Sequence, residues 1–225
     1  MHKPLCKICG LTRPEDILLC HSLGADITGF IFAPGSPRFI TPGAARALPR
    51  GPGMRAGVFV NAGTAYVLDC ARTARLDYIQ LHGGESPDFC RDLGPERVIK
   101  TLWPQSLSSA ALQRQMDLYA PVCAWFLLDA GQSWGGSGDS LDFQMLEGIR
   151  APRPWFLSGG LGPHNLEAAF WSCSPDGVDC NSALETAPGV KDHERLRATL
   201  ALARELREQK NGAPIFRADR GPCPA

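Results

Sequence analysis

The chain has 225 residues, with 23 basic and 23 acidic side chains in balance and nine cysteines. That balance leaves no basic footprint for nucleic acid or a membrane surface. Nine scattered cysteines, an odd number, do not form the clustered framework of a small disulfide scaffold and read as reduced thiols of a cytoplasmic protein. Met1-His2-Lys3-Pro4 lacks the apolar core of a signal peptide, and the longest apolar stretch, near 122–128, is too short to span a bilayer.

Along the chain, short apolar runs alternate with amphipathic segments. The runs at 5–9, 27–32, 56–60, 78–81, 98–102, 125–128, 155–157 and 178–180 read as strands. Helical segments are expected at 14–23, 42–48, 65–74, 87–93, 107–119, 141–149, 163–171 and about 192–208. Several open on proline or a capping residue, as in Thr12-Arg13-Pro14-Glu15. Eight strands alternating with eight helices imply a parallel sheet covered on both faces, and closure into a single (β/α)8 barrel over 1–210 is the expected architecture. A doubly wound open sheet would place a dinucleotide loop after the first strand, where Cys9-Gly10-Leu11-Thr12 stands instead. The segment 211–225, rich in Gly, Pro and charge, is expected to be a flexible tail.

In such a barrel, reactive side chains sit where strands end. Those positions are Cys9, Arg38, His82, Asp129, Ser158 and Asp179. Cys9 is a proton acceptor if its thiol ionises, or else a buried structural cysteine. Cys6 and Cys9 form a C-x-x-C, but a strand would turn them to opposite sides, and no second pair stands at zinc spacing. Lys7 shares the parity of Cys9, so it points inward and requires a carboxylate; Asp179 on the neighbouring last strand is the candidate. Asp129 follows an apolar run, where a carboxyl with a raised pKa would serve as a general acid. Arg38 either holds a carboxylate or is a solvated loop residue, and His82 is a lining residue. Gly159-Gly160 and Asn181-Ser182 end the last two strands, the place of a phosphate grip in this architecture. Gly135-Gly136-Ser137-Gly138 is a loop over the site or a linker.

Nine motifs in order resemble the phosphoribosylanthranilate isomerase family. They are Lys7-Ile8-Cys9-Gly10-Leu11-Thr12, Ser36-Pro37-Arg38, Gly57-Val58-Phe59-Val60-Asn61, Gln80-Leu81-His82-Gly83-Gly84-Glu85, Leu127-Leu128-Asp129, Gly135-Gly136-Ser137-Gly138, Ser158-Gly159-Gly160-Leu161, Gly177-Val178-Asp179 and Pro188-Gly189-Val190-Lys191-Asp192. The resemblance implies a TIM barrel, monomeric or homodimeric, that acts on a small phosphosugar in tryptophan biosynthesis with no cofactor and no metal. It implies that Cys9 is the general base and Asp129 the general acid of an Amadori rearrangement. It further implies that Arg38 holds the anthranilate carboxylate, that His82 and Asp179 line the substrate, and that Gly136, Gly138, Gly159, Gly160, Asn181 and Ser182 hold its phosphate. Ala183 stands where the family commonly has glycine. Among other phosphosugar barrels, an indole-glycerol-phosphate synthase would require a lysine with glutamates, and Lys100 is expected to stand without a carboxylate. An epimerase would require histidines and aspartates around a metal.

Overall fold

A computed structural model of the chain describes residues 3–129, Leu146 and residues 149–212. Eight parallel strands close into one barrel in sequence order. They are β1 (Leu5–Ile8), β2 (Ile27–Ile31), β3 (Met54–Phe59), β4 (Tyr78–Leu81), β5 (Val98–Leu102), β6 (Trp125–Asp129), β7 (Trp155–Ser158) and β8 (Gly177–Cys180). The helices are α1 (Pro14–Ser22), α2 (Pro42–Ala47), α3 (Thr64–Thr73), α4 (Pro87–Asp92), α5 (Ser109–Tyr119), α6 (Leu166–Cys173) and α7 (His193–Gly212). The (β/α)8 TIM barrel expected from the alternation is the fold observed. Most of the helix expected at 141–149, the loop glycines Gly136 and Gly138, and the chain from residue 213 lie outside the described residues.

Each strand is buried on both faces, which is why the strands read as near-continuous apolar runs. One face of each packs against the helices, in a core that includes Cys6, Ile8, Ile17, Leu81, Phe126, Leu128 and Leu196. The other face fills the barrel. Its lower part is apolar, built from Ile27, Ala56, Ile99, Leu127 and Phe156 with Leu5, Met54, Tyr78 and Trp125 around them. Phe156 stacks at a tilt on Trp125, with ring centroids 4.6 Å apart. A Cβ on Gly177 would lie 2.5 Å from the Phe156 ring, so the glycine opening β8 makes room for the aromatic side chain of β7. Fully burying each large side chain in these cores contributes about 1.5–3 kcal/mol. Above this plug the interior turns polar, and the site is built there.

Helix starts follow first-turn chemistry. Proline opens α1, α2 and α4, where its missing N–H costs nothing. Thr41, Ser86 and Ser108 accept a hydrogen bond from the backbone N–H three residues on. Thr12, just before α1, donates its hydroxyl to the carbonyl of Gly189, 2.6 Å away. Gly189 turns a two-stranded hairpin, β9 (Glu185–Ala187) with β10 (Val190–Lys191), which the sequence reading did not foresee. The Pro188-Gly189 dipeptide is the signal that would have marked it. Helix α6 begins at Leu166 rather than at 163, and α7 runs on to Gly212. The Asn165 amide bonds both the Gly160 carbonyl and the Gly162 N–H, and so holds the preceding residues in a turn.

No helix among the described residues is long and apolar enough to cross a membrane. The eight cysteines among them are free thiols.

The interior plug sets the stability of the barrel. Phe156→Ala should cost about 3–5 kcal/mol in urea unfolding, because a closed ring of strands cannot collapse onto the cavity. A loss under 1 kcal/mol would mean that the plug is loosely packed.

Candidate active site

Strand register brings the sequence-marked residues to one rim. Asp129 pairs with Ser158, Ser158 with Asp179, and Asp179 with Lys7, so a single row crosses β6, β7, β8 and β1. Cys9 lies two residues beyond Lys7, on the same inward face. Cys6 belongs to the core on the other side of β1, so the two cysteines of the C-x-x-C face apart.

The Lys7 ammonium is fully buried and donates to both carboxylate oxygens of Asp179, at 2.9 Å each. Burial pulls the Lys7 amine down, but Asp179, with help from Cys9, more than offsets this and holds it above its usual value. Gly29 of β2 opens space beside the pair. A Cβ there would lie 2.8 Å from Cys9 Sγ and 3.2 Å from Lys7 Nζ, so thiol and ammonium crowd the same patch of strand. Burial pushes the Cys9 thiol above its ordinary 9.0, Lys7 pulls it down, and Asp179 pushes it up again. The thiol is therefore held protonated at neutral pH.

His82 follows β4 directly and faces Asp129, with Nε2 3.4 Å from Oδ2. Its Nδ1 lies 3.3 Å from Gln80 Nε2 and 3.2 Å from Thr101 Oγ1, and its ring meets Trp103 edge-on. Burial lowers its pKa to about 4, so the imidazole is neutral. With the Gln80 amide donating to Nδ1, the ring proton sits on Nε2 and points at Asp129. The contact is then a long hydrogen bond of a neutral ring, not an ion pair.

The loops after β3 and β4 lock this corner. Asn61 adopts a positive φ, and its side-chain oxygen accepts from Gly84 N at 2.8 Å. Glu85 accepts from the N–H groups of Asn61 and Gly83. Lys100 is not the solitary lysine expected. Its Nζ donates to Glu85 Oε2 at 2.9 Å and to the Gly83 carbonyl at 2.6 Å, on the outer side of β5 and away from the interior. The strand parity of Lys100, opposite to that of Ile99 and Thr101, would have shown this.

The far end of the rim is glycine-rich. Gly159 and Gly160 follow β7 with φ of 112° and 64°, values that an L side chain resists. A Cβ on Gly162 would lie 3.1 Å from that of Ala183, so the β7 and β8 loops touch there. Asn181 and Ser182 begin the β8 loop. A Cβ on Gly10, with φ of 69°, would lie 2.4 Å from Asn181 Oδ1 and 2.9 Å from Arg38 Cδ. Gly10 thus lets the β1, β2 and β8 loops meet.

Arg38 is neither solvated nor idle. Its Nε and Nη2 grip Glu185, with Nη2 at 2.7 Å from Oε2. Lys191 Nζ reaches the same carboxylate at 2.9 Å and also bonds Asn181 through its side-chain and backbone oxygens. The sequence reading missed Glu185 and Lys191. The only signal was the place of Lys191 in Pro188-Gly189-Val190-Lys191-Asp192. Among the described residues, no group of three or more His, Cys, Asp or Glu side chains is arranged to hold a metal ion.

The neutral His82 gives a direct test. Its unfolded pKa exceeds its folded one, so the unfolded chain binds the extra proton between about pH 6.5 and 4, and stability falls as pH drops through that window. By NMR, the His82 ring should show no titration above about pH 5.5. A midpoint near 6.5 would show a solvated, charged partner of Asp129 instead.

Comparison with known proteins places the arrangement. The family model described as N-(5'phosphoribosyl)anthranilate (PRA) isomerase matches residues 6–201. The N-(5'-phosphoribosyl)anthranilate isomerase of Desulfovibrio desulfuricans is 45% identical over 200 residues, covering 88% of this chain and 95% of the relative. The crystal structure of phosphoribosyl anthranilate isomerase from Thermotoga maritima superposes with a TM-score of 0.80 at 36% identity, over 90% of this chain and 99% of that one. A second solved phosphoribosyl anthranilate isomerase, in complex with reduced 1-(o-carboxyphenylamino)-1-deoxyribulose 5-phosphate, gives a TM-score of 0.75 at 34% identity, with the same coverage. With a family match spanning most of the barrel and relatives of this similarity, the chain belongs to the N-(5'-phosphoribosyl)anthranilate isomerase family, as an isomerase of tryptophan biosynthesis.

Proposed function

We propose that Cys9 is the general base and Asp129 the general acid of this isomerisation, with the substrate laid across the rim between them. The observation that carries the reading is the shared inward row. Asp129 and Lys7 occupy it three strands apart around the ring, Cys9 stands just above Lys7, and the intervening strands β7 and β8 end in the Gly159-Gly160 and Asn181-Ser182 loops. Protonated Asp129 donates to the ribose ring oxygen, and the ring opens to a Schiff base. The Cys9 thiolate removes the proton from the adjacent carbon, C2 of the sugar. The electrons move toward the iminium nitrogen, and the resulting enolamine tautomerises to the ketone, giving 1-(2-carboxyphenylamino)-1-deoxyribulose 5-phosphate. The reaction is redox-neutral and leaves both side chains able to exchange protons for the next turnover. The open backbone of the β7 and β8 loops suits the phosphate. Arg38 suits the anthranilate carboxylate. His82 lines the site and aims its Nε2 proton at Asp129. Asp179 acts from beneath, through Lys7.

Two experiments test the roles. Cys9→Ala and Asp129→Asn should each lower kcat by roughly two to four orders of magnitude while a reduced product analogue still binds. Cys6→Ala, on the far side of the strand, should be nearly silent. A dead Cys6→Ala with an active Cys9→Ala would overturn the assignment.

The pH profile reports the base. Activity requires the thiolate, so the rate rises with pH through the Cys9 pKa. Lys7 opposes the upward push of burial more strongly than Asp179 supports it. The neutralised pair Lys7→Met/Asp179→Asn should therefore move the rising limb of kcat/KM to higher pH. A limb that stays in place would remove Lys7 from the control of the thiol.

A further inference from the structure

Resting on the reading that Arg38 takes the substrate carboxylate, we propose that Glu185 is the positioning residue that aims Arg38, and that Lys191 supplies the second positive charge this arrangement requires. A guanidinium has two edges able to hold a carboxylate in a fork. Glu185 occupies the Nε/Nη2 edge of Arg38, at 3.0 and 2.9 Å to Nε and 2.7 Å to Nη2. That leaves the Nη1/Nη2 edge as the one with which Arg38 meets a second carboxylate. The side chain is itself nearly buried, so its direction is set by Glu185 and not by solvent.

Charge counting shows why a lysine follows. Arg38 and Glu185 alone are neutral, and a buried neutral pair has little attraction for a further anion. Lys191 Nζ, with no exposed side-chain surface, lies 2.9 Å from Glu185 Oε1. Two cations then face one protein carboxylate, and the anthranilate carboxylate completes the balance. Burial pushes the Glu185 carboxyl up, but Arg38 and then Lys191 pull it below its ordinary value, so it stays charged in this role. Gly189 N adds a donor to Glu185 Oε1 at 3.2 Å. The same Lys191 Nζ bonds the Asn181 side chain at 2.9 Å and its carbonyl at 3.1 Å. The β9–β10 hairpin therefore joins the two ends of the substrate site, carboxylate grip and phosphate loop, through one ammonium.

The test measures KM and kcat for the natural substrate and for N-(5-phosphoribosyl)aniline, which lacks the carboxylate. Glu185→Gln and Arg38→Ala are assayed singly and together. Glu185→Gln should raise KM for the natural substrate about tenfold, the loss of one charge-assisted fork, with kcat within about twofold and the aniline analogue unaffected. In the Arg38→Ala background it should add nothing. Equal losses on both substrates, or an additive loss in that background, would make Glu185 a structural residue and overturn the proposal. If Arg38→Ala alone harms both substrates equally, the carboxylate reading of Arg38 has itself failed, and the proposal falls with it by a separate signature. Should Glu185→Gln not fold, as judged by circular dichroism, Glu185→Asp, which keeps the charge but shortens the reach to Arg38, carries the same comparison.

Discussion

The ion pair between Lys7 and Asp179 is where the fold and the chemistry meet. It joins the first strand to the last across 172 positions of sequence, inside the seam that closes the barrel. Two charges in a dry interior are tolerated only because each satisfies the other. Removing either one alone would leave an uncompensated buried charge at a cost of about 3–5 kcal/mol. The pair also divides the interior. Below it the barrel is plugged by Phe156, Leu127, Ile99 and their neighbours, and above them the inward positions include Gln80, Thr101, Asp129 and Cys9 alongside the apolar Val58. Gly29 is part of the same constraint, since any side chain there would displace the lysine or the thiol.

Around this pair, the site is a set of compensated charges held by loops that grip one another. Arg38 and Lys191 share Glu185, and Lys100 takes Glu85 on the outer side of β5. These pairs tie the β2 loop to the hairpin and the β4 loop to β5, so that the residues at the rim are set by contacts behind them. Glycine is used where backbones approach, at Gly10 between Arg38 and Asn181 and at Gly162 against Ala183. On the proposed reading of Cys9 as the base, a thiol that must ionise sits in a place that burial makes hostile to charge, and the nearest remedy is the ammonium of Lys7. The tension between burial and that cation sets how easily the base is formed.

Much of this was legible in the sequence because the relevant signals are local. Strand parity puts Lys7 and Cys9 on one face and Cys6 on the other, and adjacency of the first and last strands in a closed barrel pairs Lys7 with Asp179. The apolar runs marked all eight strands to within about two residues, the usual uncertainty of element ends. What could not be read was long-range. Thr12 bonds Gly189, 177 positions away. Arg38 meets Glu185 at a separation of 147, and no local pattern links them. Lys100 was expected to lack a carboxylate because Glu85 lies in the preceding loop and approaches from outside the strand. The late start of α6 depends on the double hydrogen bond of one amide, Asn165, which composition does not reveal.

The most direct test of the account is a crystal structure of this protein with the reduced product analogue. Cys9 Sγ should lie against C2 of the sugar and an Asp129 oxygen against the former ring oxygen, with the phosphate in the Gly159-Gly160 and Asn181-Ser182 loops and the carboxylate on the Nη1/Nη2 edge of Arg38. A ligand bound in the reverse sense, with its phosphate at Arg38 or with Cys9 far from C2, would contradict the assignment of base and acid.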